Sequence, residues 1–305
     1  MIAETYLKQV QLLIRIIPVI ATEDCFAVHG GTAINLFLSN MPRLSVDIDL
    51  TYIPVETREN SLIHITQALN RIRENLYKNI PGIQIAQLSE GKDLKLFCNW
   101  KGSQVKVEVN TVIRGIVSDS KTYPLCKYAQ LHFNQYCEIS IVPVEQLYGG
   151  KICAALNRQH PRDLFDIKCL LENNESIVNY KRGFLFCLLS SDRPIHETLQ
   201  PNKIDQHLAL ENQFRGMTAF PFSYNDYEET RITLIQLVQA SLSNADKSFL
   251  LDFKQGTPEW DSSEYANFIN FPSVQWKLIN ILKLKEKNPA KHLEEFERLK
   301  SILRN

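Results

Sequence analysis

The stretch Ser45-Val-Asp-Ile-Asp-Leu-Thr-Tyr52 constrains the fold of this chain more than any other segment. Its strict alternation marks a strand with one buried face, because successive side chains of a strand point to opposite sides. Val46, Ile48 and Leu50 take the buried side, which brings Asp47 and Asp49 together on the other. Two carboxylates side by side repel one another. A fold that keeps them either leaves them solvated at a strand end or holds a cation between them. A divalent ion such as Mg²⁺ suits the second case, since it takes hard oxygen ligands and bridges one or two carboxylates to phosphate oxygens.

The residues upstream favour the cation. Cys25-Phe-Ala-Val-His-Gly-Gly31 reads as a short strand running into a glycine turn, and Thr32 to Leu38 has helical spacing closed by Met41-Pro-Arg43. Gly30 and Gly31 lack Cβ atoms, so a phosphate can approach their backbone N–H groups and the helix dipole, with the Thr32 hydroxyl at the same place. Phosphate cradle and carboxylate pair then meet at one end of a sheet.

Elsewhere, residues about 3–21 form an apolar helical segment ending near Pro18, and residues about 57–80 an amphipathic helix stopped by Pro81-Gly82. Leu94–Trp100 and Gln104–Asn110 read as the two strands of a hairpin. A helix opens at Pro143, where helix N-termini favour proline, and runs through Lys151 to about Asn157. Another covers 162–171. Beyond about 172 the pattern is helical with no obvious strand, in segments near 177–190, 203–215, 226–242 and 274–303. The last contains a helix start at Asn288-Pro-Ala and a stripe of Leu293, Phe296, Leu299 and Leu303. The expectation is an α/β (α+β) first domain over 1–172, with a mixed sheet, and a helical domain over 173–305.

Composition excludes several functions. Lys plus Arg and Asp plus Glu both total 34, so a generally basic nucleic-acid coat is absent and any polyanion contact must be a local patch. No apolar run reaches the roughly 18–20 residues of a membrane span. The N-terminal apolar stretch carries Arg15 and no small-residue cleavage site follows it, so it reads as a buried helix rather than a signal peptide. Cysteines 25, 98, 126, 137, 153, 169 and 187 are scattered and never spaced as C-x-x-C, which fits reduced thiols in a cytoplasmic protein. A G-x-S-x-G elbow and a P-loop G-K-S/T are both missing, which argues against those hydrolases and NTPases.

Gly30-Gly-Thr followed by Asp47-Ile-Asp-Leu50 resembles the signature of the nucleotidyltransferase superfamily. More narrowly, His29-Gly-Gly-Thr-Ala-Ile-Asn-Leu-Phe37 with Arg43-Leu-Ser-Val-Asp-Ile-Asp-Leu50 is similar to the AbiEii/AbiGii toxin family. Lys151-x6-Arg158-x3-Arg162-Asp-Leu-Phe-Asp166 and Phe271-Pro-Ser-Val-Gln-Trp-Lys-Leu-Ile-Asn280 are similar to that family's further signatures. The likeness covers roughly 25–285. It implies a nucleotidyltransferase domain in front of the helical one, and the toxin half of a toxin–antitoxin or abortive-infection pair.

What the resemblance implies for individual residues is specific. Asp47 and Asp49 would bind Mg²⁺ or Mn²⁺, and Glu108, where many members carry Asp, would complete a second metal site or take the acceptor proton. Glu108 lies on an alternating strand with Lys106 and Asn110 on its own face, so it also reads as a carboxylate salt-bridged to a neighbouring Lys on an exposed sheet face. Gly30, Gly31 and Thr32 would hold NTP phosphates, and Lys151 would contact the triphosphate. Lys151 and Arg158, seven apart, share one helical face. Arg158, Arg162 and Asp163 would line the nucleotide, and Asp163 and Asp166 would orient Lys151, Arg158 or the nucleotide rather than bind metal, with Asp166 counted among the catalytic group. The bare spacing of these charges also fits an ordinary ion-pair network. Characterised relatives add nucleotides to tRNA 3′ ends, so the implied partners are NTP, an RNA acceptor and a cognate antitoxin, with no membrane. Two other readings stay open: transfer to a protein hydroxyl, and a silent module that only binds NTP or a partner. The segment 276–300 mixes Lys, Arg and Glu with aromatics and reads either as a solvated helix or as an RNA-contacting face.

Overall fold

A computed structural model describes residues 2–90, 93–261 and 263–304. The chain divides into two compact units, one of residues 1–147 with 212–221 and one of residues 148–211 with 222–305.

In the first unit the elements run α1 (Glu4–Ile20), β1 (Phe26–His29), α2 (Gly30–Ala33), β2 (Asp47–Tyr52), α3 (Arg58–Asn79), β3 (Gln84–Glu90), β4 (Asp93–Trp100), β5 (Ser103–Asn110), β6 (Lys121–Pro124), α4 (Lys127–Phe133) and β7 (Glu138–Ile141). α2 continues as a π-helical turn, Ile34–Leu38. The seven strands form one sheet in the order β3-β4-β5-β2-β1-β7-β6, with β2 at its centre. β2 pairs in parallel with β5 and antiparallel with β1, and β1 pairs in parallel with β7, so the sheet is mixed.

Alternation sets which face is covered. Ile48, Leu50, Val105 and Val107 have no exposure, whereas Asp47, Asp49, Lys106 and Glu108 are half-buried on the opposite face. α1 packs on β5 and β7, and α3 on β4. α1 buries Val10, Leu12, Leu13, Ile14, Ile16, Ile17, Val19 and Ile20, each aliphatic side chain contributing on the order of 1.5–3 kcal/mol. The helix runs past Pro18, where the sequence suggested an end. The Ala21 N–H still donates to the Ile17 carbonyl at 2.9 Å, which closes the final turn. β4 and β5 form the expected hairpin, turned by Lys101 and Gly102 at φ 48° and 78°, the left-handed pair of a type I′ turn. β3, β6, β7 and α4 were not expected.

Helix α5 (Val144–Arg158) leads into the second unit, which continues with α6 (Pro161–Glu172), α7 (Lys181–Ser190), α8 (Ile195–Leu199), α9 (His207–Ala209), α10 (Tyr224–Ser241), α11 (Asn244–Gln255), α12 (Pro272–Lys287) and α13 (Pro289–Arg304). Among its described residues there is no strand. The helical segment 274–303 divides at Asn288, where the sequence placed a helix start, and Pro289 takes the first position of the new helix. Of its stripe, Leu299 and Leu303 are buried while Leu293 is 59% exposed. The 203–215 segment is the short α9 followed by a π-helical turn, Leu210–Phe214. Where the sequence reading drew its boundary at 172, the structure groups 148–211 and 222–305 as the second unit and returns 212–221 to the first; within the second unit α6 packs on α10 and α5 lies directly against α7. No described helix is long and apolar enough to cross a membrane.

The α5–α7 contact is close enough to be tested. A Cβ on Gly149 would lie 2.2 Å from the backbone of Gly183 and Phe184, whereas one on Gly150 would meet only the Cys187 Sγ at 3.6 Å. Gly149→Ala is therefore expected to destabilise the protein by about 3 kcal/mol or more, as backbone cannot yield to overpacking. Gly150→Ala should be neutral or gain up to about 1 kcal/mol from helix propensity. Urea unfolding of both variants checks this; equal effects would contradict it.

Candidate active site

The first group of candidate residues lies in the first unit, on the half-buried face of the sheet. Register places Asp47 opposite Lys106, Asp49 opposite Glu108 on β5, and Asp49 opposite His29 on β1. Carboxylates two residues apart on a strand face stand about 6–7 Å apart. At that separation like charges repel by about 0.6 kcal/mol in water and about 2.5 kcal/mol at an effective dielectric near 20. Half-burial makes the larger figure the relevant one.

The two glycines answer to this geometry. Gly30 has φ +74°, and a Cβ there would come within 2.7 Å of Asp49 Oδ2. A Cβ on Gly31 would come within 2.6 Å of an Arg43 guanidinium nitrogen and 3.0 Å of Ser45 Oγ. The Gly-Gly pair thus lets α2 lie against the carboxylate end of β2. The Thr32 side chain is buried, and its hydroxyl bonds Ser45 Oγ at 3.0 Å and the backbone carbonyl of Asp47, tying α2 to β2. His29 Nδ1 meets the Thr51 hydroxyl at 3.0 Å.

Arg43 entered the sequence reading as the close of a helix and the first residue of the Asp-x-Asp motif, with no role of its own. It is 3% exposed, with Nη1 donating to the Leu44 carbonyl at 2.9 Å and its backbone N–H to Asn35 Oδ1 at 3.3 Å. Asn35 in turn donates to the Gly31 carbonyl at 2.9 Å. Its place between the two motifs was the available signal, but nothing in the spacing shows that the guanidinium folds back onto Gly31.

Glu108 is the expected third carboxylate, and its surroundings are cationic. Oε1 pairs with Lys95 Nζ at 3.0 Å and Oε2 with Lys106 Nζ at 2.7 Å. Partial burial pushes its pKa up, yet the two ammonium groups hold it below the ordinary value. Lys106 is likewise raised: partial burial opposes its charge, and the Glu108 hydrogen bond with the charges of Asp47 and Asp49 outweighs it.

The donor set of Asp47 and Asp49 fits a hard divalent ion that takes its remaining ligands from phosphate and water. Glu108, on the same face, has a lysine on each oxygen. Among the described residues no three His, Cys, Asp or Glu side chains are grouped to hold a metal. The described cysteines are unbridged, and burial raises thiols such as Cys98 and Cys137 to about 12, far from a nucleophilic thiolate.

The second group lies in the second unit, on α5 and α6. Lys151 Nζ is 2.8 Å from Asp163 Oδ1 and 2.9 Å from Asp166 Oδ2, with all three side chains almost fully buried. Arg158, 64% exposed, reaches Asp163 through Nε at 2.5 Å and Nη2 at 3.0 Å. Burial pushes the Asp163 carboxyl up, but Lys151 and Arg158 prevail and hold it well below the usual carboxylate range. Arg162 sits in the first turn of α6, its backbone N–H donating to His160 Nδ1 at 3.1 Å. The sequence-derived residues are thus gathered into two clusters, Gly30, Gly31, Thr32, Asp47, Asp49 and Glu108 in one, Lys151, Arg158, Asp163 and Asp166 in the other.

Comparison with known proteins decides the family. The profile described as nucleotidyl transferase AbiEii toxin, type IV toxin–antitoxin system, matches residues 11–279. The chain belongs to the AbiEii nucleotidyltransferase toxin family. It is accordingly an NTP-dependent nucleotidyltransferase and the toxin of a type IV toxin–antitoxin system. Among solved structures, MenT4, a nucleotidyltransferase toxin from Mycobacterium tuberculosis H37Rv, is similar with a TM-score of 0.63 at 12% identity, over 91% of this chain and 93% of that one. At that identity the likeness shows a shared fold. No curated protein matches the sequence.

The Lys151 cluster of this AbiEii member carries a stability prediction. Asp163→Asn leaves the buried Lys151 short of one counter-charge and should cost about 3–5 kcal/mol at neutral pH. Because the folded carboxyl is held below its unfolded value, the stability it contributes is complete above about pH 4 and is lost as pH falls further. Chemical denaturation should therefore show a wild-type advantage that narrows below pH 4; an advantage unchanged at pH 3 would contradict this.

Proposed function

We propose that this toxin transfers a nucleoside monophosphate from NTP to the 3′ end of an RNA, most naturally tRNA, in a reaction dependent on Mg²⁺ or Mn²⁺. The observation that carries this reading is the Asp47–Asp49 pair on a central strand, with a glycine turn packed against it. Asp47 and Asp49 would hold the divalent ion, which when bound offsets triphosphate charge and polarises the α-phosphoryl group. Gly30 and Gly31 keep the approach to those carboxylates free of side-chain bulk. In the reaction the acceptor hydroxyl oxygen forms a bond to the α-phosphorus and gives up its proton to solvent, the bond to the bridging oxygen of the β-phosphate breaks, and pyrophosphate leaves. As the family resemblance implies, Lys151, held by Asp163 and Asp166, and Arg158 and Arg162 on the same helices would supply positive charge toward the triphosphate. A cognate antitoxin is the implied partner.

The test is label transfer from each α-³²P NTP to total bacterial tRNA with Mg²⁺ present. Labelled RNA is expected with wild type, with Asp49→Asn reduced on the order of 10²–10³-fold or more. Label that resists RNase and is lost to protease would replace the RNA acceptor by a protein hydroxyl. NTP binding without pyrophosphate release would replace catalysis by sequestration.

A further inference from the structure

Glu108 occupies the strand position where a third metal ligand was expected, yet its oxygens are both engaged. Lys95, Glu108 and Asp49 lie in one row across β4, β5 and β2, and Lys106 lies opposite Asp47 in the neighbouring row. Formal charges on this patch are three negative and two positive. A divalent ion on Glu108 would share an oxygen with an ammonium, placing two cations within a few ångströms of each other, where they repel strongly. Retaining Glu108 beside two lysines makes better sense as a way of fixing a lysine. The alternating strand gives Lys106 no choice of face, and its side chain stays 31% exposed, so its ammonium is both anchored and reachable.

We infer that Glu108 is not a metal ligand but the anchor of a lysine pair, and that Lys106 presents its ammonium beside Asp47 to the triphosphate oxygens, in the place of a second divalent ion. The inference rests on the reading of Asp47 and Asp49 as the metal pair. Glu108 is then a positioning residue and Lys106 the group that touches substrate. The face carries a fixed positive charge before any nucleotide arrives, and one divalent ion supplies the rest.

The test separates this inference from the reading beneath it. Mn²⁺ titration of the full chain, followed by electron paramagnetic resonance, should give one site. Glu108→Gln should bind Mn²⁺ as wild type does, whereas Asp49→Asn should weaken binding roughly tenfold or more. Loss of Mn²⁺ in Glu108→Gln as severe as in Asp49→Asn would overturn the inference and leave the Asp pair standing; wild-type binding in Asp49→Asn would overturn the Asp pair itself. Calorimetry with Mg²⁺-tripolyphosphate then reads Lys106. Lys106→Met should weaken binding on the order of tenfold, the loss of one charge-assisted contact, and Lys106→Arg should restore it. Equal affinity in Lys106→Met and wild type would overturn the assigned contact. Should Lys106→Met fail to fold, Glu108→Gln supplies the same reading, because an unanchored Lys106 must also weaken tripolyphosphate.

Discussion

Two carboxylates on one face of a central strand repel each other, and the first unit is organised around that repulsion. β2 cannot turn Asp47 and Asp49 inward, since Ile48 and Leu50 must stay buried on the other side of the sheet. The charge is met locally instead. Parallel pairing with β5 brings Lys106 to Asp47, and antiparallel pairing of β4 adds Lys95 behind Glu108. Gly30 and Gly31 give up side chains so that α2 can close over the same end without striking Asp49 or Arg43. The result is a patch one positive charge short of the lysines and carboxylates balancing, which suits a site that takes up a cation together with a polyanion.

The second unit solves a similar problem by burial rather than by exposure. Lys151 is enclosed with two aspartates, and Arg158 closes the outer side of Asp163. Such a network is held by geometry: each member is tolerable only while the others remain, so α5 and α6 are fixed against each other more tightly than apolar packing alone requires. The contact of Gly149 with the α7 backbone adds a second rigid constraint on α5.

Much of this was legible in the sequence, for identifiable reasons. Strict alternation gave β2 and β5, the Lys-Gly turn gave the β4–β5 hairpin, and the apolar run gave α1. The strands β6 and β7 have four residues each, too short for a periodic signal, and β3 carries Ser and Gln in place of clean alternation. The motifs located both clusters, and Lys151 was one of the partners expected for Asp163 and Asp166. What the sequence could not convey was that a second lysine, Lys95, joins Lys106 at Glu108. Lys95 is thirteen residues away and meets it only through strand pairing. Arg43 was hidden for the same reason, as its contact with Gly31 depends on how the loop between α2 and β2 folds back.

The central claim is that Asp47 and Asp49 together hold the divalent ion of the nucleotide. Anomalous diffraction from crystals grown with Mn²⁺ and a non-hydrolysable α,β-methylene NTP tests it most directly. The account predicts a Mn²⁺ peak within coordination distance of both aspartates, with Glu108 still paired to Lys95 and Lys106. A Mn²⁺ ion bound with its nucleotide away from β2 would contradict it.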